Sequence, residues 1–146
     1  MKIGFTGTRA GMSARQKRGL ALLLSSTNLA FHGTDTVEFH HGDCVGADAQ
    51  ADIICRHFMI RRVLHPGNVE HARAHSERLA HPANQPELLE VREPAPPLLR
   101  NRTIVEQGLE LLIAAPRERA EQLRSGTWAT VRYAREEGVP VLILDP

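Results

Sequence analysis

His41-Gly42-Asp43-Cys44-Val45-Gly46-Ala47-Asp48 decides the fold. The stretch follows a short apolar run, Val37-Glu38-Phe39-His40, and opens Ala47–His57, a segment rich in Ala and Ile. A strand that hands over to a helix through a turn with two glycines is the basic unit of an α/β sheet. Glycines let a ligand approach the backbone, and bare N–H groups at a helix N-terminus attract an anion. Arg124-Ser125-Gly126-Thr127 repeats the arrangement far downstream, again between an apolar run and a helical pattern.

Working outward from these turns, Lys2–Thr6 reads as a first strand that runs into a turn at Gly7. Ser13 and Gln16 form a capping box for a helix over about Ala14–Ser25, whose Leu20, Leu23 and Leu24 share one face. Ile60–Leu64 is a third strand, closed by His65-Pro66-Gly67. The stretch 65–97 holds six of the nine prolines and four histidines, with a short strand near Leu88–Val91, and reads as an irregular insertion. A helix opening at Asn101, a buried strand Leu109–Ala115, a helix from about Thr127 to Glu137 stopped by Gly138, and a last strand Val139–Leu144 complete the series. Apolar strands alternating with helices predict an α/β, Rossmann-like, doubly wound and mostly parallel sheet with helices on both faces. Residues 1–146 are expected to form one domain, with its ligand at the carboxyl ends of the strands.

The chain has 146 residues, 42% hydrophobic and 24% charged, which is enough apolar material for a packed core. A formal charge of +1 gives no bulk attraction to nucleic acid or membrane. A polyanion would have to meet a local patch such as Arg100/Arg102 or Arg117/Arg119/Arg124. Cys44 and Cys55 form no disulfide pattern, and the sequence has no long apolar run or signal peptide, so a reducing cytoplasm and no membrane are expected. His71 and His75, and the group His40, His41 and Cys44, have spacings seen in metal sites but do not complete a ligand set. No metal or cofactor is expected. Cys44 beside His40 and His41 is either a nucleophile at a helix start or a small residue filling a turn.

The strand-end loops bring Gly7, Thr8 and Arg9, the turn Gly42 to Asp48, His65 to Gly67, and Ser125 to Thr127 to one edge. Thr8 and Arg9 offer a hydroxyl and a guanidinium fork for phosphate or carboxylate. Gly42 and Gly46 permit close approach of a ligand. Asp48, in a first helical turn, either caps its own helix or accepts from a ribose diol, and Asp43 is open to the same reading. Ser125, Gly126 and Thr127 expose amides and hydroxyls to a phosphate, without the lysine of a GxxxxGK[ST] loop. Asn101 is a natural N-cap that would aim Arg100 and Arg102 at the same rim. Glu106 follows as the nearest carboxylate for acid/base work, or as a solvated helix charge.

Gly7-Thr8-Arg9, Gly42-Asp43-Cys44-Val45-Gly46-Ala47-Asp48, Arg100-Asn101-Arg102-Thr103-Ile104 and Ser125-Gly126-Thr127-Trp128-Ala129-Thr130 together resemble the SLOG superfamily, over nearly the whole chain. That Rossmann-like group contains the DprA DNA-processing proteins and the LOG phosphoribohydrolases. LOG enzymes cleave the N-glycosidic bond of nucleoside 5′-monophosphates and carry a PGGxGTxxE motif with a catalytic glutamate, a place held here by Thr130. The G-[ST]-x-x-T pattern, the Arg100-Asn101-Arg102 segment and the glycine turn ending in Asp48 are similar to DprA.

The leading expectation is a protein that binds a nucleotide or phosphoribosyl ligand, with phosphate on the 42–46 and 125–127 amides, Arg9 and Arg102 pairing its charge, and Asp48 near a sugar. One alternative is hydrolysis or transfer at an N-glycosidic bond of a nucleoside monophosphate, with Glu106 or Asp48 as the carboxylate in place of the residue lost at Thr130. Another is a single-stranded nucleic-acid binder, for which one Trp, one Tyr and four Phe make a poor stacking platform. The resemblance implies a homodimer, and Trp128 and Val131 are either its contact residues or part of the core.

Overall fold

The structure, a computed structural model, describes residues 1–30, 37–78 and 86–146. In chain order the elements are β1 (Lys2–Gly7), α1 (Ala14–Ala30), β2 (Glu38–His41), α2 (Ala47–His57) and β3 (Arg61–Leu64). Three short 3₁₀ turns, Glu70–Ala72, Ser76–Arg78 and Pro86–Leu88, lead to β4 (Leu89–Val91). They are followed by α3 (Pro97–Val105), β5 (Leu111–Ala115), α4 (Gly126–Glu136) and β6 (Val141–Ile143). All six strands are parallel, in the order β4-β3-β2-β1-β5-β6. This is the α/β, Rossmann-like, doubly wound arrangement that the alternation of strands and helices predicts.

The alternation of side chains along each strand divides the core in two. Ile3 and Phe5 of β1 and Ile113 and Ala115 of β5 face α1 and α2, with Leu20, Leu24, Ala51 and Cys55. Leu112 and Ala114 face the other way, toward α3 and α4, with Ile104, Trp128 and Val131. Trp128 and Val131 are therefore core residues and not a dimer contact. Between those layers Gly4 has no room for a side chain, since a Cβ there would lie 2.3 Å from Cδ1 of Leu109.

Helix boundaries follow local signals. Ser13 and Gln16 make both bonds of the predicted capping box, Gln16 N to Ser13 Oγ at 3.1 Å and Ser13 N to Gln16 Oε1 at 2.9 Å. The amide of Gln16 also donates to Pro116 O and Leu144 O, tying α1 to the ends of β5 and β6. The helix runs to Ala30, past the predicted end at Ser25, because no glycine or proline stands between Leu20 and Ala30. α3 opens at Pro97, not at Asn101, with Pro96 as the residue before its first turn. Proline suits a first helical position, where its missing N–H has no intrahelical partner to lose. Asn101 is thus inside the helix and caps nothing. The stretch 65–97 is irregular as expected, and its residues 79–85, with His81, lie outside the described residues.

The chain builds outward from β1 through β2, β3 and β4, then returns to the opposite side of β1 for β5 and β6. The two directions of travel part between β1 and β5, and their carboxyl ends splay into a crevice there. Two turns depend on glycine, one beside the crevice at Gly46 and one at the far end of α4 at Gly138. Gly46 has φ +90°, and a Cβ on it would sit 2.3 Å from the carbonyl oxygen of Arg9. Gly138 has φ +71° but open space around it. Gly46→Ala should therefore cost roughly 3 kcal/mol or more in urea unfolding. Gly138→Ala, which meets only the left-handed backbone penalty, should cost about 1 kcal/mol.

Candidate functional site

A cavity of about 410 Å³ fills the crevice at the ends of β1 and β5. Such a volume suits a small-molecule ligand. Of the residues expected to bind, Gly7, Thr8 and Arg9 line it from the β1 loop, and Gly42 and Asp48 from the β2 turn. Arg100 and Asn101 line it from α3, and Ser125, Gly126, Thr127 and Thr130 from α4. Asp43, Gly46, Arg102 and Glu106 do not. The cavity also takes in Phe5, Pro97, Leu98, Arg117, Glu118 and Arg124. Its charged lining is four arginines, Arg9, Arg100, Arg117 and Arg124, against two carboxylates, Asp48 and Glu118.

The two glycine turns, alike in sequence, differ in what their amides do. In the first, Gly42 N and Cys44 N donate to Asp48 Oδ2 at 3.0 and 3.2 Å, and Asp43 N to His41 Nδ1 at 3.2 Å. Val45 N donates to Ala72 O, and Ala47 N, at the start of α2, to Thr8 O. The 42–45 amides are thus spent on the protein itself, which leaves only Gly46 N of the 42–46 set for the expected phosphate contact. In the second, Ser125 caps α4 by accepting from Trp128 N at 3.4 Å, and the N–H groups of Gly126 and Thr127 have no partner among the described residues. Unpaired amides on a helix N-terminus beside a basic cavity form an anion site.

Arg100 is the deepest of the four cations, 6% exposed. Nη1 donates to Gly42 O and, at 3.0 Å, to His65 O, and Nη2 lies 3.3 Å from Cys44 Sγ. Among the described residues no carboxylate forms an ion pair with it. A Cβ on Gly42 would fall 1.7 Å from Nη1 of Arg100, so the first glycine of the turn makes room for this guanidinium and not for a ligand. Asp48 is buried as well, and burial raises its carboxyl above the usual range, against the charges of His41 and Arg100 and the two amide bonds. Among the described residues no hydrogen bond is made to its Oδ1.

The remaining candidates sit elsewhere for definite reasons. Asp43, in a left-handed conformation with φ 52°, turns away from the cavity and binds Arg73 and the Ser76 N–H. Arg102 follows Asn101 by about 100° around α3, so it points outward, its guanidinium 4.9 Å from the Tyr133 ring and 3.9 Å from Glu136. Glu106 is exposed at the C-terminal end of α3, far along a helix that starts earlier than predicted. Thr130 lines the cavity but bonds Gly126 O at 3.0 Å and the Thr6 hydroxyl at 3.4 Å. His75 pairs with Glu70 and Glu77, and among the described residues no three His, Cys, Asp or Glu side chains are grouped to hold a metal.

Behind the turn lies a buried polar layer that sequence reasoning missed. Asp52 accepts from Arg62 at 3.0 and 3.1 Å and lies 3.2 Å from His41 Nε2 and 2.9 Å from Arg56. Burial opposes its charge, yet the bond and charge of His41, then Arg62 and Arg56, hold its carboxyl below the usual range. Beside it His40 Nδ1 meets His65 Nε2 at 3.1 Å. The only sequence signal was the charge of Asp52 and Arg62 within apolar runs, Arg62 on β3 between Ile60 and Leu64.

No family model matches the chain, and no curated protein matches it. Solved structures do. DNA processing protein A from Streptococcus pneumoniae superposes with a TM-score of 0.64 at 19% identity, over 97% of this chain and 49% of that one. The chain has the Rossmann-like fold of these proteins. The same fold relates it to DNA processing protein A from Helicobacter pylori, a structure solved for its single-stranded DNA binding mode (TM-score 0.65, 15% identity, 98% of this chain and 64% of that one). It also relates it to the molybdenum cofactor binding protein from Rippkaea orientalis (TM-score 0.64, 15% identity, 97% and 74%). The chain thus spans about half to two thirds of the DNA processing proteins. Among the described residues no helix is long and apolar enough to cross a membrane.

The histidine pair sets an acid limit on this fold. Burial first, then the charges of His40, Arg92, His41 and Arg100, lowers His65 to about 3, from an ordinary 6.5. The unfolded chain takes up this proton below its ordinary pKa and the folded one does not, so stability falls as pH drops from about 6.5 toward 3. At pH 5 the loss through His65 should be roughly 2 kcal/mol. Urea unfolding at pH 7 and pH 5 should show it, and His65→Gln should remove most of the difference.

Proposed function

We propose that the cavity binds the phosphate of a nucleotide or phosphoribosyl molecule. The observation that carries this reading is the pair of amides, Gly126 and Thr127, unpaired among the described residues and lining the same cavity as a buried Arg100 that forms no ion pair there. Phosphate oxygens accept from the α4 amides and from Arg9 and Arg124 at the rim, where charge-assisted bonds are stronger than neutral ones. Asp48 Oδ1 accepts from a sugar hydroxyl. Pro97, Leu98 and Phe5 supply the apolar wall against which a sugar or base packs.

N-glycosidic hydrolysis has less support. Of the two carboxylates expected to serve it, Glu106 lies outside the cavity, and Asp48 holds two amides of its own turn. Thr130 replaces the glutamate of the LOG motif with a hydroxyl already bonded to the helix. Single-stranded nucleic acid needs exposed rings on which bases stack. Among the described residues none of the Phe, Tyr or Trp side chains is exposed.

A thermal-shift screen with AMP, the other nucleoside monophosphates, NAD and ADP-ribose tests the reading. A ligand at about 100 times its Kd should add roughly 2.7 kcal/mol of stability. Arg9→Ala combined with Arg124→Ala should abolish the shift, and Arg102→Ala, outside the cavity, should leave it intact. Release of free base from any of these compounds, followed by chromatography, would replace the binding reading with the enzymatic one. Salt-sensitive retention of oligonucleotides without any nucleotide shift would replace it with the nucleic-acid one.

A further inference from the structure

A second cavity of about 300 Å³ lies on the other side of Arg100. Its lining includes His65, Arg92, Glu93, Arg100, Thr103 and Gln107. His65 is 2% exposed, and among the described residues its Nδ1 has no hydrogen-bond partner, while Nε2 is 3.1 Å from His40 Nδ1. The far nitrogen of His40, Nε2, lies 3.5 Å from Glu38 Oε2. A lone pair facing a carboxylate is repelled and an N–H is attracted, so the proton of neutral His40 belongs on Nε2. His40 Nδ1 then accepts, His65 Nε2 donates, and His65 Nδ1 is left as a bare acceptor in the wall of the cavity. Arg100 adds a cation to the same wall, with its buried Nε unpartnered among the described residues, and Arg92 adds a second at the rim, its Nε paired with Glu90 Oε1 at 2.8 Å and its terminal nitrogens left for a ligand.

We propose that this cavity is a binding site for a small hydroxylated carboxylate, its hydroxyl donating to His65 Nδ1 and its carboxylate pairing with Arg92 and Arg100. Glu93 at the rim repels a dianion and so favours a carboxylate over inorganic phosphate. The proposal does not rest on the phosphate reading, although the two cavities share Arg100.

Long-range ¹H–¹⁵N NMR of the imidazoles tests it in the intact chain, with glycolate, acetate and inorganic phosphate as probes. Free His65 should show the Nε2–H tautomer. Glycolate should move its Nδ1 resonance saturably, with a Kd on the order of 10 mM for so small a ligand. Acetate, which lacks the hydroxyl, should bind about fivefold more weakly. Arg92→Ala, a change at an exposed residue, should weaken glycolate about threefold. Phosphate should move the Gly126 and Thr127 amides and leave His65 in place. The proposal fails if His65 is the Nδ1–H tautomer, if acetate or phosphate matches glycolate at His65, or if glycolate gives no saturable shift up to about 50 mM.

Discussion

The guanidinium of Arg100 occupies the volume that a side chain at Gly42 would need, and the site is arranged around that fact. The contact joins α3 to the turn after β2, two elements that meet nowhere along the sheet. It fixes the wall between the two cavities. It also places a full positive charge among two carbonyl oxygens and a thiol, with no carboxylate in direct contact. Burying a cation in this way costs several kcal/mol unless its hydrogen bonds are made, and here Gly42 O and His65 O make them. No carboxylate among the described residues forms an ion pair with Arg100, although its charge reaches the Asp48 carboxyl.

The consequence is a division of labour between two turns of similar sequence. The first turn is largely closed: the 42–45 amides hold Asp48, His41 and Ala72, the Ala47 amide holds Thr8 O, and its glycines admit Arg100 and the Arg9 backbone. The turn at 125–127 is open at its last two amides: Ser125 N donates to Gln122 O and the cap takes Trp128 N, while the Gly126 and Thr127 amides have no partner among the described residues. A glycine-rich turn at a helix start is therefore a phosphate site only where the protein leaves its donors unpaired. The basic side chains of three segments, Arg9, Arg100 and the pair Arg117 and Arg124, line the cavity that the open turn enters, and Arg100 also binds the first turn at Gly42 O.

The sheet was legible because parallel strands covered on both faces read as apolar runs, and α2 was bounded as expected from Ala47 to His57. α3 was misplaced because Pro96-Pro97 was counted with the irregular stretch. Proline at a first helical position was the signal that could have corrected it, and it would have turned Arg102 outward and Arg100 inward. Asp43 could not be separated from Asp48 by sequence, since its partner Arg73 lies 30 residues away on the insertion. The Glu38–His40–His65 chain was equally hidden, because parallel register sets His40 beside Val63 and brings His65 back to it across the strand end. Long-range pairings of buried polar groups leave no local pattern.

Where the phosphate of a bound nucleotide lies is the most direct question. A crystal structure of the protein with AMP should place the phosphorus atom within hydrogen-bonding reach of the Gly126 and Thr127 amides, on the cavity side of Arg100. A phosphate seated instead on the 42–46 turn, or a nucleotide bound outside the crevice between β1 and β5, would contradict the account.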